Sequence, residues 1–176
     1  PDCDGYSKHL MNFLKIKSNN DKLFRNSDFK DMFSETVSEF NLKPAERHSK
    51  FLVAENTVSM TTIECILENY EQDRKIVALN FANAMFAGGG YVLGGNAQEE
   101  SLCRASLLYY TIRTQKEYYS KNRLHLLPDY TDTMIYSHNV PIIRNDSGEL
   151  LTETYKCDFI TSPAVNRTFA KFMFSE

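Results

Sequence analysis

The stretch Ile76-Val-Ala-Leu-Asn-Phe81, followed by Asn83-Ala-Met-Phe-Ala-Gly88-Gly89-Gly90-Tyr91-Val-Leu-Gly94-Gly95-Asn96-Ala-Gln98-Glu99-Glu100-Ser101-Leu102-Cys103-Arg104, decides the fold. Residues 76–81 carry the run expected of a buried strand. Beyond the glycines, Leu102, Ala105, Tyr109 and Ile112 recur at helical spacing. The stretch therefore reads as strand, glycine loop and helix, with two carboxylates in the helix's first turn. Five of the seven glycines in the chain lie between Gly88 and Gly95. Glycine accepts positive φ and puts no side chain between backbone N–H groups and a ligand. Several such N–H groups form an anion nest, to which a helix N-terminus adds. A phosphate-bearing ligand is the guest this predicts. The motif is neither of the common phosphate loops: no Gly-Lys-Ser/Thr follows, and no G-x-G-x-x-G occurs.

Outward from this stretch, the pattern is that of an α/β protein. Upstream, Phe51-Leu-Val-Ala54 reads as a strand, and Thr61-Thr-Ile-Glu64 has capping-box spacing that opens a helix through Ile63, Ile66, Leu67 and Tyr70. Strand, helix and strand in that order predict a parallel pair, whose ligands sit at the strands' carboxyl ends. The glycine loop falls there. Residues 1–43 are helix-prone, with Leu10, Phe13, Leu14 and then Phe29, Met32, Phe33, Val37, Phe40 at amphipathic spacing, read as helices packed on a domain edge. Lys43-Pro44 ends that pattern. The expected division is an N-terminal helical accessory segment, 1–43, and a core over 44–176. Downstream, 114–127 is expected to be helix and loop, Met134–Tyr136 and Val140–Ile143 strands, Asn145–Gly148 a turn, and Lys156–Thr161 a further strand.

Length and charge bound the function. A chain of 176 residues suffices for one well-packed core. Its net charge of −3 argues against a broad basic face for nucleic acid, so a polyanion must be captured by local geometry. Cys3, Cys65, Cys103 and Cys157 form no C-x-x-C pair, and His9, His48, His125 and His138 show no zinc spacing. No metal or other cofactor is expected, and the thiols suggest an intracellular protein of the cytoplasm (or, in a eukaryote, the nucleus). The sequons at Asn145 and Asn166 then read as chance matches. No signal peptide is expected, no apolar run is long enough to span a bilayer, and the opening Pro1 suggests that the natural start is absent.

Gly88-Gly89-Gly90, separated by Tyr91 to Ala97 from Gln98-Glu99-Glu100, resembles the signature of the poly(ADP-ribose) glycohydrolases. The wider wording, Leu79-Asn-Phe-Ala82 through Glu99-Glu-Ser-Leu-Cys-Arg104, looks like the short microbial type of that family, built on a macrodomain fold. Tyr130-Thr-Asp, Ile135-Tyr-Ser, Val140-Pro, Arg144-Asn-Asp and Thr161-Ser-Pro-Ala-Val-Asn166 extend the resemblance over about residues 50 to 167. The family continues with a helix, a core strand and a second phosphate loop that are not in this sequence. The expectation is a fold incomplete at its C-terminus, whose sheet edge invites self-association or a covering partner.

The resemblance also assigns roles. Glu100 falls on the family's general acid/base, Glu99 on the residue that orients the ribose, and Asn83 on a ribose hydrogen-bonding position. Gly88, Gly89 and Gly90 are the diphosphate-loop candidates, with Tyr91 lining or stacking and Gln98 beside the substrate. Cleaving a ribosyl bond needs a proton at the leaving oxygen and passes through a cation-like sugar, work usually divided between two carboxylates. Adjacent residues on a helix point about 100° apart, so Glu99 and Glu100 are not placed to flank one sugar. The implied division is one acid/base and one positioning residue. Ordinary helix N-terminal charge is the blander account of the pair; the triple glycine and Asn83 weigh against it. Arg104 suits an i, i+4 ion pair with Glu100, Asn166 suits either a site border or a turn cap, and Cys103 a small buried residue. The implied substrate is poly(ADP-ribose) or an ADP-ribosylated macromolecule, with ADP-ribose as product. The alternatives are a mono-ADP-ribosyl hydrolase and a non-catalytic ADP-ribose-binding macrodomain.

Overall fold

The computed structural model describes residues 36–37, 58–125, 127, 130–165 and 171. The strand expected at Phe51–Ala54, the first helical piece at Leu10–Leu14 and Asn166 lie outside them. Among the described residues the elements are β1 (Thr36–Val37), α1 (Thr62–Glu68), β2 (Val77–Ala82), a 3-10 turn (Tyr91–Leu93), α2 (Gln98–Ala105), α3 (Leu108–Ile112), α4 (Lys116–Leu124), β3 (Ile135–Arg144) and β4 (Leu150–Pro163).

They form a mixed sheet in the order β1-β3-β4-β2, flanked by helices. β3 and β4 are an antiparallel hairpin, and β2 runs parallel to β4 from Val77 opposite Asp158 to Ala82 opposite Pro163. The hairpin turn is closed by the Asn145 side chain, whose Oδ1 accepts from the Glu149 N–H at 2.9 Å, while Gly148 takes a φ of +84°. The expected turn and strands are therefore present, with 134–136 and 140–143 fused into one bulged strand. Within the helix expected over residues 29–40, Thr36–Val37 is instead a strand, Thr36 pairing with Ser137 and Val37 with Tyr136 of β3, and the rest of that stretch lies outside the described residues.

Helix α1 starts as its sequence specifies. The Thr61 hydroxyl accepts from Glu64 N at 3.0 Å and Glu64 Oε2 accepts from Thr61 N at 2.8 Å. Its Ile63 and Ile66 join Leu102, Ile112, Ile135, Ile142 and Phe159 in one core between helices and sheet. The helical spacing from Leu102 to Ile112 is interrupted. Ser106 forms a bridge with Ile142 of β3, and Leu107 N donates to Pro141 O at 3.1 Å. The Ser106 hydroxyl accepts from Leu108 N at 3.1 Å where the chain resumes as α3. β2 also departs from expectation. It alternates instead of being buried throughout, with Val77, Leu79 and Phe81 exposed and Asn80 and Ala82 buried.

Candidate active site

The carboxyl ends of β2 and β4 lie side by side, and the chain leaves β2 directly into Asn83 and the glycine loop. α2 returns beneath that loop with Glu99 and Glu100 in its first turn. The two carboxylates, Asn83, Ala97 and Ala164, just beyond β4, line one open cleft, joined by Phe81 and Tyr130.

Four backbone N–H groups hold the pair. Glu99 Oε2 accepts from Asn83 N at 2.7 Å and Oε1 from Gly88 N at 3.2 Å. Glu100 Oε1 accepts from Gly90 N at 2.7 Å and Oε2 from Ala97 N at 3.2 Å. Two further loop donors are used internally, Gly89 N by Phe86 O and Tyr91 N by Gly88 O. This corrects the expectation of an open diphosphate nest. The nest exists, and its anions are the protein's own glutamates. Glycine is required because the backbone approaches them so closely. Gly89 has a φ of +53°, and a Cβ there would stand 2.7 Å from Glu100 Oε1 and 3.1 Å from Glu99 Oε2.

The two carboxylates approach one point above Gly89, from one side of the cleft. They cannot flank a sugar as the acid and base of a two-carboxylate glycosidase do. Their accessibilities differ: Glu99 retains 3% of its surface and Glu100 9%. Burial pushes the Glu99 carboxyl up to about 7; the Asn83 N–H and Asn80 side chain oppose this, and the Glu100 charge adds to it. At Glu99, burial outweighs the helix N-terminus, which favours an ionised carboxylate.

The other expected residues divide. Asn83 lies at the cleft, but its Oδ1 caps its own turn, accepting from Met85 N at 2.8 Å and Phe86 N at 2.9 Å. Its amide nitrogen is the group left for a ligand. Gln98 is engaged within the protein. Its Oε1 accepts from Phe81 N at 3.0 Å and its Nε2 donates to Leu79 O at 2.8 Å, so the amide pairs with the outer edge of β2 like a peptide group. Tyr91 is fully buried against Tyr109, with ring centroids 4.9 Å apart, and cannot line the cleft. Arg104 holds the loop that follows, donating to Gly95 O, Asn96 Oδ1 and Ser101 Oγ. Cys103 is buried, and burial, with the two glutamate charges, raises its thiol well above the ordinary range. Tyr130, which no spacing argument had singled out, supplies the aromatic wall from a backbone φ of +59°. Its only sequence signal is the Tyr130-Thr-Asp segment. Among the described residues no group of His, Cys, Asp and Glu is arranged to hold a metal ion.

Fold and cleft together define a class: a macrodomain-like α/β protein whose sheet presents a glycine-bound glutamate pair at its carboxyl edge. The model of the microbial-type PARG (poly(ADP-ribose) glycohydrolase) catalytic domain matches residues 4–145. The chain belongs to that family, whose members are glycohydrolases of poly(ADP-ribose). Solved structures agree. The enzyme of Thermomonospora curvata is 37% identical over 64% of this chain and 40% of that one, with a TM-score of 0.58. Its complex with the inhibitor ADP-HPD is 41% identical over 58% of this chain and 39% of that one, at 0.56. The enzyme of Deinococcus radiodurans in complex with ADP-ribose is 39% identical over 66% and 46%, at 0.59. This chain spans less than half the length of these relatives. No curated protein matches it.

Proposed function

We propose that this chain carries the catalytic centre of a poly(ADP-ribose) glycohydrolase, cutting ribose–ribose bonds to release ADP-ribose. The observation that carries this is the glutamate pair held by Asn83, Gly88, Gly90 and Ala97 N–H groups on one wall of the cleft. With both carboxylates on one side, a single residue must give the proton to the leaving oxygen and later take one from water. Glu100 is assigned that role, as the more accessible of the two. Glu99, deeper and fixed at both oxygens, orients the ribose and supports the cationic sugar. The Asn83 amide nitrogen and the Tyr130 ring complete the contacts. Free Cys65, Cys103 and Cys157 support an intracellular setting.

Release of ADP-ribose from a poly(ADP-ribosyl)ated protein tests the assignment, with Glu100→Gln beside the parent. The substitution keeps shape and removes the carboxyl that would serve as acid and base. Turnover is expected to fall about 10²–10⁴-fold, the ordinary worth of a general acid/base, with ADP-ribose binding retained. Binding without turnover by the parent would leave an ADP-ribose-binding module instead.

A further inference from the structure

The segment from Asn83 to Gly89 separates two depressions. Its first residues face the glutamates. Met85, Phe86 and Gly89 line a second groove of about 480 Å³, whose far wall is α3 and α4. The chain is acidic overall, yet among the described residues this groove is lined by Arg113, Lys116 and Arg123 and by no carboxylate. Glu117, the acidic residue in the first turn of α4, is paired with Lys121 at 3.1 Å. The Arg113 guanidinium lies over the Tyr109 and Tyr110 rings, 5.6 and 5.0 Å from their centroids. Phe86, 62% exposed, forms an apolar platform opposite.

We infer that this groove binds the next ADP-ribose unit of the polymer, across the scissile bond from the unit held at Glu99 and Glu100. The inference rests on the proposed reading of the cleft and adds the second half of the substrate. Each polymer unit brings one adenine and a pyrophosphate. An aromatic platform with cations along it suits that pairing, because stacking takes the base and the cations neutralise phosphates. Position supports it as well. Gly89 is a wall of the groove, and the Cβ position built on it lies 2.7 Å from Glu100 Oε1. Gly89 thus borders both the groove and the Glu100 carboxylate.

The test is binding by the full chain of ADP-ribose and of a size-selected poly(ADP-ribose) oligomer, across a salt series. The Lys116→Gln/Arg123→Gln double variant is compared with the parent; both side chains are exposed, and thermal melting checks that the variant folds. The parent is expected to bind oligomer at least about tenfold more tightly than monomer. The variant should lose about tenfold in oligomer affinity, keep its ADP-ribose affinity, and show a log K against log salt slope shallower by about 1.4 for two phosphate contacts. Unchanged oligomer affinity, or equal loss for oligomer and monomer, overturns the inference and leaves the cleft assignment standing. An oligodeoxyadenylate of matching charge that binds the groove as tightly overturns it in favour of a general nucleic-acid surface. Groove-dependent oligomer binding without any hydrolysis upholds the inference and removes the catalytic assignment. A parent that binds neither ligand removes both.

Discussion

At Gly89 a backbone and two carboxylates share one small space. Gly89→Ala puts a methyl 2.7 Å from Glu100 Oε1 at a φ of +53°, so either the loop or the carboxylate must move. A displacement of about 1 Å is enough to cost about 10²-fold in rate. The expected outcome is that loss in kcat with a lower melting temperature, read by turnover and calorimetry. Glu99 carries the opposite tension, stability given up for position. Its folded-state pKa of about 7 lies above the ordinary 4.5, so between those values the native state binds more protons than the unfolded chain. Stability therefore falls as pH rises from about 4.5 to 7, by up to about 3 kcal/mol, and stays down above that window. Glu99→Gln should then melt higher than the parent at pH 8, with the difference shrinking toward pH 4.5. A difference independent of pH would refute the buried-charge account.

At the scale of elements, Gln98 changes its meaning. Its place in the Gly-Gly-Gly … Gln-Glu-Glu motif suggests a ligand contact, whereas the amide stitches the start of α2 to the outer edge of β2 through Leu79 O and Phe81 N. Gln98→Ala is expected to cost about 1–2 kcal/mol, roughly 1 kcal/mol per lost hydrogen bond, and to speed exchange of the Phe81 amide. A higher KM for polymer with unchanged Phe81 exchange would restore the substrate role. The same scale explains what was legible. The Thr61–Glu64 capping box was readable because all its partners lie within four residues. The adjacent carboxylates were readable as one-sided from helical geometry alone. The break at Ser106 was not, since the apolar spacing runs on through it and the partners that interrupt it, Pro141 and Ile142, lie more than thirty residues away. Tyr91 failed for a related reason. A tyrosine beside glycines looks like a ligand wall, and only the packing of Tyr109 across the turn shows it to be core.

Across the whole molecule, β4 joins two ends with different chemistry. At its carboxyl end Ala164 borders the cleft. About 20 Å away along the chain, at about 3.3 Å per residue, Asp158 is buried and accepts from the Tyr136 hydroxyl, from His138 Nδ1 and from Asn139 N at 2.7 Å, tying the bulge of β3 to β4. Burial opposes ionisation there, but the Asn139 N–H, the Tyr136 hydroxyl and His138 together hold the carboxyl below its ordinary range. The sign is thus opposite to that of Glu99. Asp158 contributes stability above the unfolded carboxylate pKa and loses it as pH falls through the folded one. The two carboxylates give a stability profile that falls on both sides, on the acid limb through Asp158 and toward neutrality through Glu99. Asp158→Asn should lower stability by about 1–3 kcal/mol near neutral pH, the cost of disturbing hydrogen bonds to a buried charged group, and should flatten the acid limb alone. Sites this far apart with no shared partner act independently, so ADP-ribose affinity measured by calorimetry should stay within about twofold of the parent. A large loss of affinity in Asp158→Asn would mean that β4 transmits strain from one end of the sheet to the other, and that the cleft depends on packing well beyond its own walls.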